Sequence, residues 1–223
     1  MHPPKKPFSE YKWRWAALTP TESLNAPPVF LGVLRAFGRY EKHPPNSPEL
    51  RSALEIVQAE TGTTVNLGRT RDRNLVRNSG QYWKALGLLE EAHGVITLTD
   101  FGRALAGAHI TPVEFALTTV KTLELPNKRI SGNTDIWDRA NLRIKPLELI
   151  LKVIADLATN VGRDQGYITP FELVKIVIPL AGAKKPLADY RKAISLFRTG
   201  DLTLDLWPDC TPSSNDCLLY TSD

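Results

Sequence analysis

Cysteine is nearly missing from this chain of 223 residues: Cys210 and Cys217 are the only two, and both stand near the C-terminus. That excludes a disulfide framework and a zinc knuckle. Histidine is equally sparse. His2, His43, His93 and His109 are scattered, with no metal-ligand spacing. No apolar run approaches the ~18 residues of a membrane span, and no charged, apolar, small-residue pattern of a signal peptide opens the chain. The expectation is a protein of the reducing cytoplasm with no membrane partner. There is no Gly-rich phosphate loop, and no Ser-His-Asp, Cys-His or HNH-type set in an informative arrangement.

What remains is ordinary in bulk and uneven in detail. Apolar residues make up 42% and charged residues 23%, which suits a globular chain of one large or two small domains. The net charge is +4 and the pI about 9.1, which favours an anionic partner. The charge is concentrated. Between Arg69 and Lys84 lie five cations and one acid, Asp72, so this stretch alone matches the net charge of the whole chain.

A helical wheel divides that stretch into two faces. At 100° per residue, Asn74, Arg77, Asn78, Gln81 and Lys84 share one side, while Leu75, Ser79, Tyr82, Leu86 and Leu89 share a neighbouring one. The second set can seat the helix on a core. The first set can be an ordinary solvated face or a nucleic-acid face. Its Asn and Gln favour the latter, because a merely solvated helix more often carries Glu and Lys in pairs. Arg and Lys contact phosphate or guanine, and Asn and Gln pair with adenine. With the basic arm Arg69, Arg71 and Arg73 ahead of it, the candidate DNA-binding set is Arg69, Arg71, Arg73, Asn74, Arg77, Asn78, Gln81 and Lys84.

Start and stop signals set the remaining elements. Pro27-Pro28 opens a first helix through Arg39. Ser47 caps a second that begins at Pro48 and stops at Gly62. Val95 to Thr99 is a short β-branched strand, Thr99 caps a further helix, and Gly107 ends it. Thr111-Pro112-Val113-Glu114 and Thr169-Pro170-Phe171-Glu172 are both cap-Pro-acid openings; the residues around them do not match, so they are not an internal repeat. Helices are also expected from Pro146 to Ala158 and from Pro186 to Phe197, with a few strand residues near Leu202 to Leu206. The fold class expected is mainly α: a winged helix-turn-helix with a small β wing, followed by a helical module. The boundaries are an N-terminal arm (1–25), a winged-helix DNA-binding domain (26–107), a helical module (108–205) and a non-native or disordered tail (206–223). In the arm, Tyr11-Lys12-Trp13-Arg14-Trp15 can stack on bases or, more plainly, tuck its tryptophans onto the domain.

Three phrases carry a resemblance: RNSGQYWKALGLLE (77–90), GVITLTDFGRALAG (94–107) and TPVEFALTTVKTLELPN (111–127). Together they resemble the N-terminal recognition region of AlwI-like type II restriction endonucleases, and IKPLELILKVI with YITPFELVKIVIPLAG looks like its continuation. The resemblance implies sequence-specific binding of double-stranded DNA within bacterial restriction–modification, a homodimer as a possible assembly, and Mg²⁺ chemistry in the intact parent enzyme. It brings no catalytic site. Pro208-Asp209 lacks a following acid-x-Lys, Glu10-Tyr11-Lys12 lacks an upstream acid, and Glu172 and Lys175 are spaced one residue too far apart. No catalytic or metal-binding residue and no cofactor are therefore assigned to this chain. The string from Ser214 to Asp223 has no periodicity, and its CLLYTS resembles a translated sequencing adapter, so a chain truncated before its catalytic domain is expected. Two other classes fit the helices: a winged-helix transcriptional regulator without enzymatic activity, and a helical protein-interaction module.

Overall fold

Pro27 at a helix start, Ser47 before Pro48 and Thr99 before Asp100 all act as their chemistry dictates in the computed structural model, which describes residues 1–13, 26–68, 80–90, 94–128 and 133–211. The described residues are mainly helical. They form two compact units, Leu18–Thr119 and Met1–Ala17 with Val120–Asp223.

The first unit contains α1 (Pro27–Arg39), α2 (Pro48–Thr61), α3 (Gly80–Ala85), α4 (Asp100–Ala106) and most of α5 (Pro112–Thr122). The Ser47 Oγ accepts the Leu50 N–H at 3.3 Å, and Gly62 ends α2 with φ 64°, a left-handed turn that costs glycine nothing. The apolar repeat of α1 packs Val33, Leu34 and Phe37 into the core against Leu50 and Leu54 of α2. The Thr99 Oγ1 accepts the Gly102 N–H at 2.9 Å. Gly102 is a steric necessity. A Cβ there would stand 2.2 Å from the Leu88 carbonyl oxygen, so α4 can lie against residues 88–89 only with glycine at this place. The second glycine of GVITLTDFGRALAG thus has a packing reason.

The expected β wing does not form as a strand. Among the described residues there is no sheet, only isolated antiparallel bridges, Leu89 with Leu98 and Leu125 with Ile144. Leu89 and Leu98 are buried, and the Glu90 N–H donates to the Thr97 carbonyl at 2.9 Å. The β-branched residues 95–99 are used differently from a wing strand. Ile96 exchanges backbone hydrogen bonds with Lys42 and His43, and the Leu98 N–H goes to the Glu41 carboxylate. Pairing with the α1–α2 turn consumes the groups that a longer hairpin would need.

The second unit contains α6 (Asp135–Arg139), α7 (Pro146–Asn160), α8 (Pro170–Glu172), α9 (Ile178–Gly182) and α10 (Leu187–Arg198). Between α8 and α9 the chain is π-wound over Leu173–Val177. The sequence predicts an end near Ile178, just before Pro179. Instead the helix runs through to Gly182, because the Ile178 N–H reaches back to Leu173 and the wider turn accommodates the proline ring beside the Lys175 carbonyl. Val153 and Leu157 of α7, Ile176, Val177 and Leu180, and Ala193 and Ile194 of α10 form the core. No strand forms at Leu202 to Leu206; Leu202 and Leu204 turn into that core, and so does Trp207. Cys210 is buried as well, so residues 206–211, placed with the tail by sequence, take part in the packing, while residues 212–223 lie outside those described.

The N-terminal segment belongs to this unit. Tyr11 and Trp13 are wholly buried. The Trp13 indole N–H donates to the Tyr11 hydroxyl, which donates to the Ile178 carbonyl, both at 3.0 Å. Trp13 therefore serves burial and not base stacking; Trp15 lies outside the described residues.

Candidate nucleic-acid interface

Of the sequence-predicted site, Arg69, Arg71, Arg73, Asn74, Arg77 and Asn78 lie outside the described residues, as does the side chain of Gln81. Lys84 is described and half-buried in α3. What seats α3 is Trp83, a residue in neither of the two predicted faces. It is completely buried, stacked on Phe30 at 4.9 Å between ring centres and edge-on to Phe37 at 5.5 Å. Tyr82 and Leu86, assigned to the apolar face, are only half-buried against the same core. The signal for Trp83 was available: a tryptophan next to the apolar face extends it, since large aromatics dominate burial.

Around α3 the unit is held by charge as well as by its core. Arg103 donates from Nη1 to Glu41 at 2.5 Å and from Nη2 to Asp100 at 2.9 Å. Arg103 is thus committed to structure.

A second cluster of cations went unread in the sequence. In the second unit, the loop before α7, the first turns of α7 and the loop after α9 line an open cavity of about 610 Å³. Arg143, Lys145, Lys152, Lys184 and Lys185 line it against one carboxylate, Glu148. Leu142, Ile144, Leu149, Ala181 and Tyr190 supply the apolar part of its wall. Lys152 pairs with Glu148 at 2.6 Å, and Lys145 stands 3.9 Å from it. The hydrogen bond and charge of Lys152, with Lys145 and Lys121 nearby, hold the Glu148 carboxyl below its ordinary range, so it is ionised at neutral pH. Arg143 pairs with Asp138 at 2.7 Å, and the Lys184 ammonium donates to the Ala140 carbonyl at 3.2 Å. The Lys185 ammonium has no partner among the described residues. The sequence signal was two short basic runs, Arg143-Ile144-Lys145 and Lys184-Lys185, each followed by the proline that precedes or opens a helix.

The carboxylates that came nearest to a nuclease site are engaged elsewhere. Asp209 pairs with Lys175 at 2.9 Å, and Glu172 with Arg198 at 2.7 Å. Among the described residues no group of three or more His, Cys, Asp or Glu is placed to hold a metal ion. None of the described helices is long and apolar enough to cross a membrane. Comparison with known proteins finds no match: no family description, no curated protein and no solved structure.

Proposed function

We propose that this chain binds duplex DNA through residues 69–84, as the recognition region of a type II restriction endonuclease. The observation that carries the reading is the burial of Trp83. At 100° per residue, position 81 lies about 160° around α3 from Trp83. On the same wheel, positions 74, 77 and 78 group with 81, so a helix continuing through them would set this line opposite the indole. Arg, Asn and Gln on one line of the wheel, with three further arginines ahead of them in sequence, are the residue types that read base edges and hold phosphates. In this reading α2 and α3 act as a helix-turn-helix pair, and the single Leu89–Leu98 bridge stands where a wing would be.

The test is duplex binding by the full chain as a function of salt. Phosphate contacts release counterions, so affinity should fall steeply as salt rises, and reversing charge at Arg71 and Arg73 together should weaken binding to all sequences alike. Affinity indifferent to salt, or to both reversals, would defeat the proposal. Because the sequence carries no complete acid, acid-x-Lys set, and Asp209 and Glu172 are paired with Lys175 and Arg198, the chain alone should leave duplex DNA uncut with Mg²⁺ or Mn²⁺ present.

A further inference from the structure

We infer that the cationic cavity of the second unit is a binding site for a phosphate-bearing ligand of nucleotide size. Four observations converge on it. Five cations line it; Lys152 is paired with Glu148 and Arg143 with Asp138 outside the wall, which still leaves an excess of positive charge. Lys185 offers an ammonium with no partner among the described residues. Tyr190 is only 2% exposed, lines the cavity, and has no hydrogen-bond partner for its hydroxyl among the described residues. A phenol hydroxyl at this wall can donate to a ligand oxygen. Finally, Lys184 sits at φ 53° just past the end of α9, a helix-end position that glycine fills most easily. A lysine there keeps a second ammonium at the cavity mouth in spite of the backbone cost.

The wall chemistry sets the ligand class. Lysines are point-charge donors and Arg143 a planar fork, and together they suit phosphate oxygens. The apolar side, with Leu142, Leu149 and Tyr190, suits a flat ring or a sugar face. The volume of about 610 Å³ is that of a small-molecule site. A free nucleotide and one phosphodiester of a nucleic-acid strand share this chemistry. The site stands on residues separate from 69–84 and does not depend on the proposal made for them.

Calorimetric titration of the full chain separates the sources, with pyrophosphate, ADP and a short single-stranded oligodeoxynucleotide as probes. Saturable, salt-sensitive binding of ADP or pyrophosphate assigns a free phosphate ligand; saturable binding of the oligonucleotide alone assigns a strand. In either case Lys184→Gln with Lys185→Gln should weaken that probe about tenfold or more, since each lost contact is a charge-assisted hydrogen bond. Both side chains are exposed, so the melting temperature should not move. Tyr190→Phe, which keeps the ring and removes the hydroxyl, should weaken the same probe by a smaller factor. Charge reversal at Arg71 and Arg73 should leave ADP and pyrophosphate binding untouched, which separates failure of this site from failure of the DNA-binding reading. No saturable binding of any probe, or equal affinity in the Lys184/Lys185 variant, overturns the inference.

Discussion

Glu172 and Arg198 form the most enclosed ion pair among the described residues, with Arg198 Nε 2.7 Å from Glu172 Oε1 and the Glu172 side chain only 2% exposed. The pair ties α8 to the end of α10. Glu172 also accepts the Thr169 N–H at 2.8 Å and donates its own N–H to the Thr169 hydroxyl, so one carboxylate closes a capping box and an ion pair together. Arg198 is satisfied on every side: it reaches the Gln165 and Tyr167 carbonyls and lies 3.9 Å over the Tyr167 ring.

Removing one partner should therefore be costly. Arg198→Met leaves a buried carboxylate without its cation, and should cost about 3 kcal/mol in urea unfolding. The same site sets an acid limit. Burial opposes ionisation of Glu172, but the hydrogen bonds and charge of Arg198 and the Thr169 bonds outweigh it, and the carboxyl titrates below its ordinary value. Its contribution should be complete above the unfolded carboxyl range, near pH ~4.3, and should fade as pH falls through the depressed folded value. Stability of Arg198→Met that follows the wild type across this range would sink the argument.

A second acid-sensitive tie fastens residues 206–211. The side-chain hydrogen bond from Thr211, then that from Lys175 and the Thr211 backbone N–H, hold Asp209 down at about 2. Its stabilising effect should be present above pH ~4 and lost as pH falls towards that value. Asp209→Asn should flatten this part of the pH profile. If the profile keeps its wild-type slope, Asp209 is not among the groups that set it.

Cys210 should be a poor nucleophile despite being a free thiol. Burial pushes its pKa up to about 11, so the thiolate is scarce near neutrality. Alkylation mapped by mass spectrometry should leave Cys210 unmodified in the folded chain and modify it once urea is added. Rapid labelling under native conditions would mean that residues 206–211 open readily.

Gly102→Ala is expected to destabilise by about 3 kcal/mol or more, because the new methyl meets a backbone carbonyl rather than a flexible side chain. The thermal melt should show it without any change in charge. A variant as stable as the wild type would mean that α4 moves freely off residues 88–89.

Trp83 and Gln81 should separate fold from recognition. Truncating Trp83 to Ala removes a fully buried indole and should cost about 3–5 kcal/mol. Truncating the half-buried Tyr82 or Leu86 should cost less. Gln81→Ala and Asn78→Ala should leave melting alone and reduce preference for a specific duplex by about 1–3 kcal/mol. If these two substitutions lower the melting temperature while the specificity ratio stays fixed, the helix is packed the other way round.

How much was legible depended on the range of the interactions. Caps, proline starts and apolar periodicity are local, so Ser47, Thr99, Thr111 and Thr169 marked helix starts that the fold keeps. The mainly helical class follows from the same signals. The wing was misjudged because β-branched residues at 95–99 favour extended backbone without naming a partner. Tertiary packing chose that partner: the turn at Lys42 and His43, distant in sequence, took the hydrogen bonds of Ile96. Pro179 likewise reads as a stop in one dimension and is carried through by a π turn. The cationic cavity was illegible for the same reason. Arg143 and Lys145 are separated from Lys184 and Lys185 by a whole helix, α7, and by the helices after it, and only their packing brings the four to one wall. The sequence by itself determined where helices begin, which residues could form a core, and where positive charge is dense along the chain. The tertiary structure alone decided which charges are used up in pairs, such as Glu172 with Arg198, and which are left facing open space, because that depends on distances no spacing along a chain can report.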